Sequence, residues 1–105
     1  MLRKFSIDIE PEALDDIQNA IDFYNSCKPG LGKRFYKAID KHFIFLQKNY
    51  SLFEIRYDDI RCMKVAKFPY MIHYRVLMSQ QTVGIKAVFC TFGTQSNGEK
   101  RIEEK

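Results

Sequence analysis

Cationic side chains and a histidine concentrate between residues 61 and 75. This stretch carries Arg61, Lys64, Lys67, His73 and Arg75. Guanidinium and ammonium groups stabilise the negative charge that develops on a phosphate, and an imidazole can move protons near neutral pH. These residue types could therefore support phosphate chemistry or bind a polyanion. The alternative is that they are solvated side chains on the exposed face of a sheet.

A second cationic segment lies upstream, between residues 28 and 48. It has six basic residues against the single acid Asp40, and its central cations are Lys33, Arg34, Lys37 and Lys41. Residues 1–27 have the opposite balance, with two basic and six acidic residues, and the whole chain has a net charge of +4. An uneven charge of this kind indicates an acidic protein partner or a polyanion. A solvated helix face would give the same pattern.

Composition favours one soluble domain without a metal or a cofactor. The chain has 105 residues, which suits one domain over residues 1–96 followed by a flexible charged tail over 97–105. Its three cysteines form no CxxC pair, and two histidines do not complete a zinc-ligand spacing. No stretch approaches the roughly 20 apolar residues of a membrane span. The first residues lack the apolar core of a signal peptide, so we expect a cytoplasmic protein.

Hydrophobic periodicity predicts one strand and then two helices. Alternation in residues 3–9 predicts a strand with one buried face. A helix follows from about Pro11 to Cys27, and Lys28-Pro29-Gly30 ends it. A second helix is expected over residues 31–48. The predicted buried stripes are Leu14, Ile17, Ile21 and Tyr24 on the first helix, and Leu31, Phe35, Ile39, His42 and Leu46 on the second.

From residue 50 onward the period changes to two, which predicts strands over residues 60–65, 70–77 and 82–91. The expected fold is α+β: an N-terminal strand, an α-helical hairpin and a three-stranded antiparallel meander, with the helices packed on one face of the sheet. The opposite face should then be open and cationic. Whether Arg61 and Arg75 share this open face depends on the strand register, because a slip of one residue moves a side chain to the other face of the sheet.

Several segments resemble the RelE/ParE toxin superfamily in their order and spacing. The run RCMKVAKFPYMIHYRV, residues 61–76, is similar to an arginine-bearing strand, a Phe-Pro-Tyr turn and a following strand in that family. Leu31-Gly32-Lys33-Arg34-Phe35 resembles its LGxxF opening of the second helix, and Tyr24 an aromatic residue of the first helix. VGIKAVF, residues 83–89, resembles the last strand.

The resemblance implies the toxin of a bacterial type II toxin–antitoxin module, neutralised by a cognate antitoxin that wraps around it. Two modes of action are implied. RelE-like members cut messenger RNA on the ribosome, whereas ParE-like members poison DNA gyrase and are not known as nucleases. In the first mode, Arg61 and Arg75 would stabilise charge, Lys64 would act as base and His73 as proton shuttle. Lys33, Arg34, Lys37, Lys41 and Lys67 would bind nucleic acid or antitoxin.

One departure from the family pattern bears on nuclease activity. Members commonly carry a histidine and then an arginine after the last strand, where this chain has Cys90 and Gly93. A thiol near its ordinary pKa is a poor proton donor to a leaving alkoxide and carries no positive charge. The resemblance therefore implies weak, altered or absent ribonuclease activity, a gyrase-directed toxin, or a non-toxic relative that only binds antitoxin.

Overall fold

The computed structural model describes residues 4–91, and the expected tail at 97–105, like Gly93, lies outside them. Within residues 4–91, two helices and five strands follow one another. Their bounds are β1 Ser6–Ile9, α1 Pro11–Cys27, α2 Leu31–Asn49, β2 Ile55–Tyr57, β3 Ile60–Lys64, β4 Tyr70–Leu77 and β5 Thr82–Cys90, with a 3₁₀ turn at Met78–Gln80. The α+β class is confirmed.

The strands form one sheet in the order β1-β5-β4-β3-β2. Strands β2 to β5 make an antiparallel meander, as short connections require. Strand β1 pairs with β5 in parallel, because the helical hairpin carries the chain back across the sheet between them. The three-stranded meander predicted from sequence thus has a fourth strand, β2, and the N-terminal strand β1 forms one edge of the same sheet.

The helical hairpin depends on two glycines. Gly30 has φ +88°, a left-handed conformation that glycine adopts without strain, and it joins the two helices. Gly32 lies at a close contact between them: a Cβ there would stand 2.5 Å from the Ile21 carbonyl oxygen. The Gly32 amide also donates a hydrogen bond of 2.9 Å to the Asn25 side chain. The LGxxF segment is therefore a requirement of helix packing.

The core lies between the helices and one face of the sheet. Tyr24, Phe35, Phe68 and Tyr70 form an aromatic cluster there, with ring centroids 5.0–6.1 Å apart. Burial, together with the nearby Cys90 and Tyr24, raises the pKa of Tyr70 to about 12. The residues that carried the family resemblance thus meet in the core, so their order and spacing reflect packing.

The predicted buried stripe of α1 is wrong at Leu14, which is 53% exposed. The centre of the buried face is Ala13, Ile17 and Ala20. Leu14 directly follows Ala13 and therefore projects about 100° further round the helix, toward solvent. On α2 the prediction is confirmed for Phe35, Ile39 and Leu46, while His42 is only partly buried.

Candidate functional site on the open face of the sheet

The register of β3 and β4 decides which candidate residues share a face. Arg61 stands opposite Tyr74, and Cys62 stands opposite His73. Directly opposed residues in an antiparallel pair project to the same side. Tyr74 is fully buried among the core residues under the helices, so His73 and its alternate neighbour Arg75 project from the other, open face.

Arg61 therefore does not join the open cationic face, and the register that the sequence left open is the one in which Arg61 and Arg75 lie on opposite faces. It is half-buried on the helix side, where its guanidinium donates a hydrogen bond of 2.5 Å to the Phe53 carbonyl. The neighbouring Tyr74 hydroxyl donates to the Tyr50 carbonyl at 3.0 Å. Both side chains thus hold the segment after α2 against the sheet edge, which is a structural role.

His73 sits in a small cluster on the open face. Its Nδ1 lies 3.1 Å from the Tyr57 hydroxyl and 3.4 Å from the Cys62 thiol, and its ring meets Phe89 edge-on at 5.1 Å. Burial, assisted by the positive charge of Arg56, lowers the pKa of His73, so the ring is neutral near pH 7. Burial likewise raises the pKa of the Cys62 thiol. A neutral imidazole whose Nδ1 faces two uncharged groups is poorly suited to donate a proton to a leaving group.

Arg75 and Lys64 share the open face with His73. The Arg75 Nε lies 3.6 Å from the Asp59 carboxylate, and the Arg75 side chain is 33% exposed. Lys64 stands opposite Met71 and is exposed. The structure thus brings together three of the four catalytic candidates on one face, but Arg75 already has an anionic partner.

The predicted binding residues lie elsewhere. Lys33, Arg34, Lys37 and Lys41 are exposed along the solvent side of α2, on the layer that covers the other face of the sheet. Lys67 is exposed in the turn between β3 and β4, where it has φ +73°. The candidate cations therefore form two separate surfaces, one on α2 and one on the open face.

Cys90 also lies away from the open-face cluster. It stands opposite Tyr70, which belongs to the aromatic cluster under the helices. Its thiol therefore faces the core side and does not replace a proton donor beside His73.

Sequence reasoning missed Tyr57, Cys62 and Asp59 as neighbours of His73 and Arg75. Strand β2 has only three residues, which is too short for a periodic signal. The chain then turns at Asp58-Asp59 into β3. The Tyr-Asp-Asp-Ile run at 57–60, with turn residues between strand-forming ones, is the signal that could have indicated this hairpin.

Within residues 4–91, histidine, cysteine and acidic side chains nowhere gather in a group of three able to hold a metal ion. In the same residue range, neither helix is both long enough and apolar enough to cross a membrane.

The helical hairpin on a five-stranded sheet defines the class, and comparison with known proteins defines the family. A model of the ParE toxin of type II toxin–antitoxin systems, parDE, matches residues 7–91. This chain belongs to that family and is thus a type II toxin–antitoxin toxin. No match by sequence was found among curated proteins.

Solved structures show the same fold at low sequence identity. The chromosomal ParDE toxin–antitoxin system of P. aeruginosa matches with a TM-score of 0.69 and 17% identity, over 81% of this chain and 94% of that chain. The intact E. coli RelBE toxin–antitoxin complex matches with a TM-score of 0.62 and 16% identity, over 80% and 93%. The RelBE2 complex of Mycobacterium tuberculosis matches with a TM-score of 0.61 and 13% identity, over 86% and 94%.

Proposed function

We propose that this toxin acts in the cytoplasm by binding DNA gyrase, without cleaving RNA, and that a cognate antitoxin neutralises it. The separation of Arg61 from Arg75 is the observation that favours gyrase binding over RNA cleavage. Cleavage of RNA by its own 2′-hydroxyl needs cations that converge on one phosphate. Arg61 and Arg75 project from opposite faces of the sheet and cannot meet on a common phosphate.

The state of His73 supports the same choice. The Tyr57 hydroxyl and the Cys62 thiol both approach its Nδ1, and burial keeps the ring neutral. A general acid must carry a proton at working pH and must reach its substrate. His73 is therefore better explained as the centre of a packed cluster than as a proton shuttle.

The antitoxin is the expected partner of the α2 cations. Two of the matching structures are named as toxin–antitoxin complexes, and membership of the ParE family supports a partner of the same kind for this chain. The α2 row of Lys33, Arg34, Lys37 and Lys41 is exposed and suits an acidic segment. Changing these four residues to glutamine should weaken antitoxin binding and reduce its salt dependence. The same change at Lys64 and Lys67, on other surfaces, is the control; equal binding by both variants would misplace the interface.

The mode of action can be tested by inducing the chain alone. We expect growth arrest, inhibition of DNA supercoiling by purified gyrase, and intact transcript ends. The Arg61→Lys variant should keep these activities, because lysine can still donate to the Phe53 carbonyl. If the wild-type chain produced new transcript ends and the Arg75→Ala variant did not, the proposal would be contradicted. Absence of growth arrest would favour a non-toxic antitoxin-binding relative.

The ribonuclease alternative has one observation in its favour. Lys64, His73 and Arg75 share the open face, so a reduced site without Arg61 is geometrically available. Cleavage that is lost in Lys64→Ala and Arg75→Ala, while Arg61→Lys remains active, would support this second function.

A further inference from the structure

Strand β2 is an exposed edge of the sheet. It is the last strand in the order β1-β5-β4-β3-β2, and each of its three residues is exposed. In the described part of the chain, no further strand pairs with its outer side. An edge strand presents unpaired backbone groups on that side, so it can pair with another chain.

Apolar side chains gather on the helix side of this edge. Ile55 stands opposite Arg61, so it projects to the same side of the sheet as Arg61. Phe53, two residues earlier, contacts Phe45 of α2 with ring centroids 6.5 Å apart. Leu52 precedes Phe53 and is 63% exposed, and Ile55 is 53% exposed. We call Phe45, Leu52, Phe53 and Ile55 the β2-edge patch; grouped exposed apolar residues of this kind mark an interaction surface.

Charged side chains occupy the other side of the same edge. Glu54 lies between Phe53 and Ile55, so alternation along the chain directs it toward the open face. Burial and the positive charge of Arg56 lower the pKa of His73, which indicates that Arg56 also lies toward that face. Both charged side chains are exposed. The edge therefore carries a carboxylate and a guanidinium two positions apart, with an apolar residue between them.

This arrangement is complementary to a second copy of itself. Antiparallel pairing centred on Ile55 sets Glu54 opposite Arg56 of the second copy, and a two-fold axis repeats the contact. The Ile55 side chains of the two copies then meet on the helix side. Centring the pair on Glu54 or on Arg56 would instead set like charges directly opposite each other, which is destabilising. Charge thus selects both the occupant and the register.

The short strand limits the strength of the contact. The register shift between Ile55 and Tyr57 interrupts the regular edge, so regular pairing covers residues 54–56. The β2-edge patch adds apolar contact beside these few backbone hydrogen bonds. An interface of this extent belongs to the weak, reversible class.

We propose that two copies of this chain associate through β2, in antiparallel orientation with Ile55 beside the two-fold axis. The two β2-edge patches cover each other on the helix side, and two ion pairs between Glu54 and Arg56 form on the other side. The axis stands perpendicular to the sheet, so the open faces of both copies, with His73 and Arg75, lie on the same side of one continuous sheet. The association needs neither gyrase nor antitoxin and so does not depend on the proposed function.

Sedimentation of the purified full chain over about a hundredfold range of concentration tests the dimer. The average mass should rise from that of one copy to that of two, and the rise should require a higher concentration in high salt. A chain that remains monomeric throughout would overturn the proposal.

Two equally exposed residues provide matched variants. Ile55→Asp places a charge in the β2-edge patch, and Leu14→Asp places one on α1, where Leu14 is also 53% exposed. Ile55→Asp should weaken dimerisation about tenfold or more, and Leu14→Asp less than about twofold. Thermal unfolding checks that both variants are folded. Equal dimerisation of the two would overturn the proposal.

The register has its own test in a mixture of two variants. Glu54→Arg and Arg56→Glu each set like charges opposite each other in a homodimer, so each should dimerise about tenfold more weakly than the wild type. In an equal mixture every charged position meets an opposite charge, and mixed dimers should form. A mixture that stays as monomeric as its components would overturn the proposal.

Gyrase binding separates this proposal from the proposed function. If the wild-type chain is monomeric and Ile55→Asp no longer inhibits supercoiling, the β2-edge patch binds gyrase and the dimer is overturned. If the chain dimerises as described but does not inhibit gyrase, the dimer is supported and only the proposed function fails.

Discussion

Replacing Gly32 with alanine should destabilise the protein, although the same change is stabilising in most helices. Alanine has a helix propensity about 1 kcal/mol more favourable than glycine in a helix interior. Here, however, the new Cβ would lie 2.5 Å from the Ile21 carbonyl oxygen and 2.7 Å from the Asn25 side chain. The first neighbour is backbone of α1, so the two helices must separate.

The magnitude follows from three contributions. Overpacking of a close contact costs typically about 1–3 kcal/mol. Displacing the Asn25 side chain also breaks its hydrogen bond to the Gly32 amide, worth about 1 kcal/mol. Subtracting the gain in helix propensity leaves a net loss of about 1–3 kcal/mol, which lowers the melting temperature by about 4–8 °C for each kcal/mol in a domain of this size.

Urea unfolding followed by circular dichroism measures this loss as a lower midpoint at an unchanged m-value. Asn25→Ala is the control, since it removes the hydrogen bond without adding an atom between the helices, and it should cost about 1 kcal/mol. A Gly32→Ala protein as stable as the wild type would refute the close approach of the helices.

Three further predictions concern polar side chains that are wholly or partly buried. Asp16→Ala should cost about 1–3 kcal/mol because it leaves the Val88 amide without its 3.0 Å acceptor, whereas Asp16→Asn should cost less, since burial raises the pKa of Asp16 and its charged form is penalised. Tyr74→Phe should cost about 1–2 kcal/mol by unpairing the Tyr50 carbonyl. The lowered pKa of His73 means that the unfolded chain binds its proton more readily. Its contribution to stability is therefore present above pH about 6.5 and is lost as pH falls toward its pKa in the folded state.

Denaturant midpoints check the first two of these, and midpoints measured between pH 5 and 8 check the third. Equal stability of Asp16→Asn and Asp16→Ala would remove the role of Asp16 as an acceptor. A Tyr74→Phe loss no larger than that of Tyr57→Phe, at an exposed hydroxyl, would contradict the buried bond. The acid-dependent loss should be smaller in His73→Gln; an unchanged pH profile in that variant would exclude His73 as its source.

The elements were predictable where periodicity was long and its ends were marked. Helix α1 begins at Pro11 and ends before Lys28-Pro29-Gly30, and strand β4 matches residues 70–77. Strand β2 was not predictable from three exposed residues. It forms because β3 offers an unpaired edge, which is a property of the assembled sheet.

The site was predictable in residue type and only partly in arrangement. Lys64, His73 and Arg75 share a face, as alternation along β4 and the pairing of β3 allow. The face of Arg61 was undecidable, because a register shift of one residue in the turn at 65–69 would reverse it.

Sequence alone determined the α+β class, the helical hairpin, the cationic helix and the resemblance to a toxin family, because these depend on local periodicity, turn residues and spacing. Tertiary structure decided which cations share a surface and that His73 is half-buried and neutral. These depend on strand register and on the distance between layers, which are set by side chains far apart in the chain.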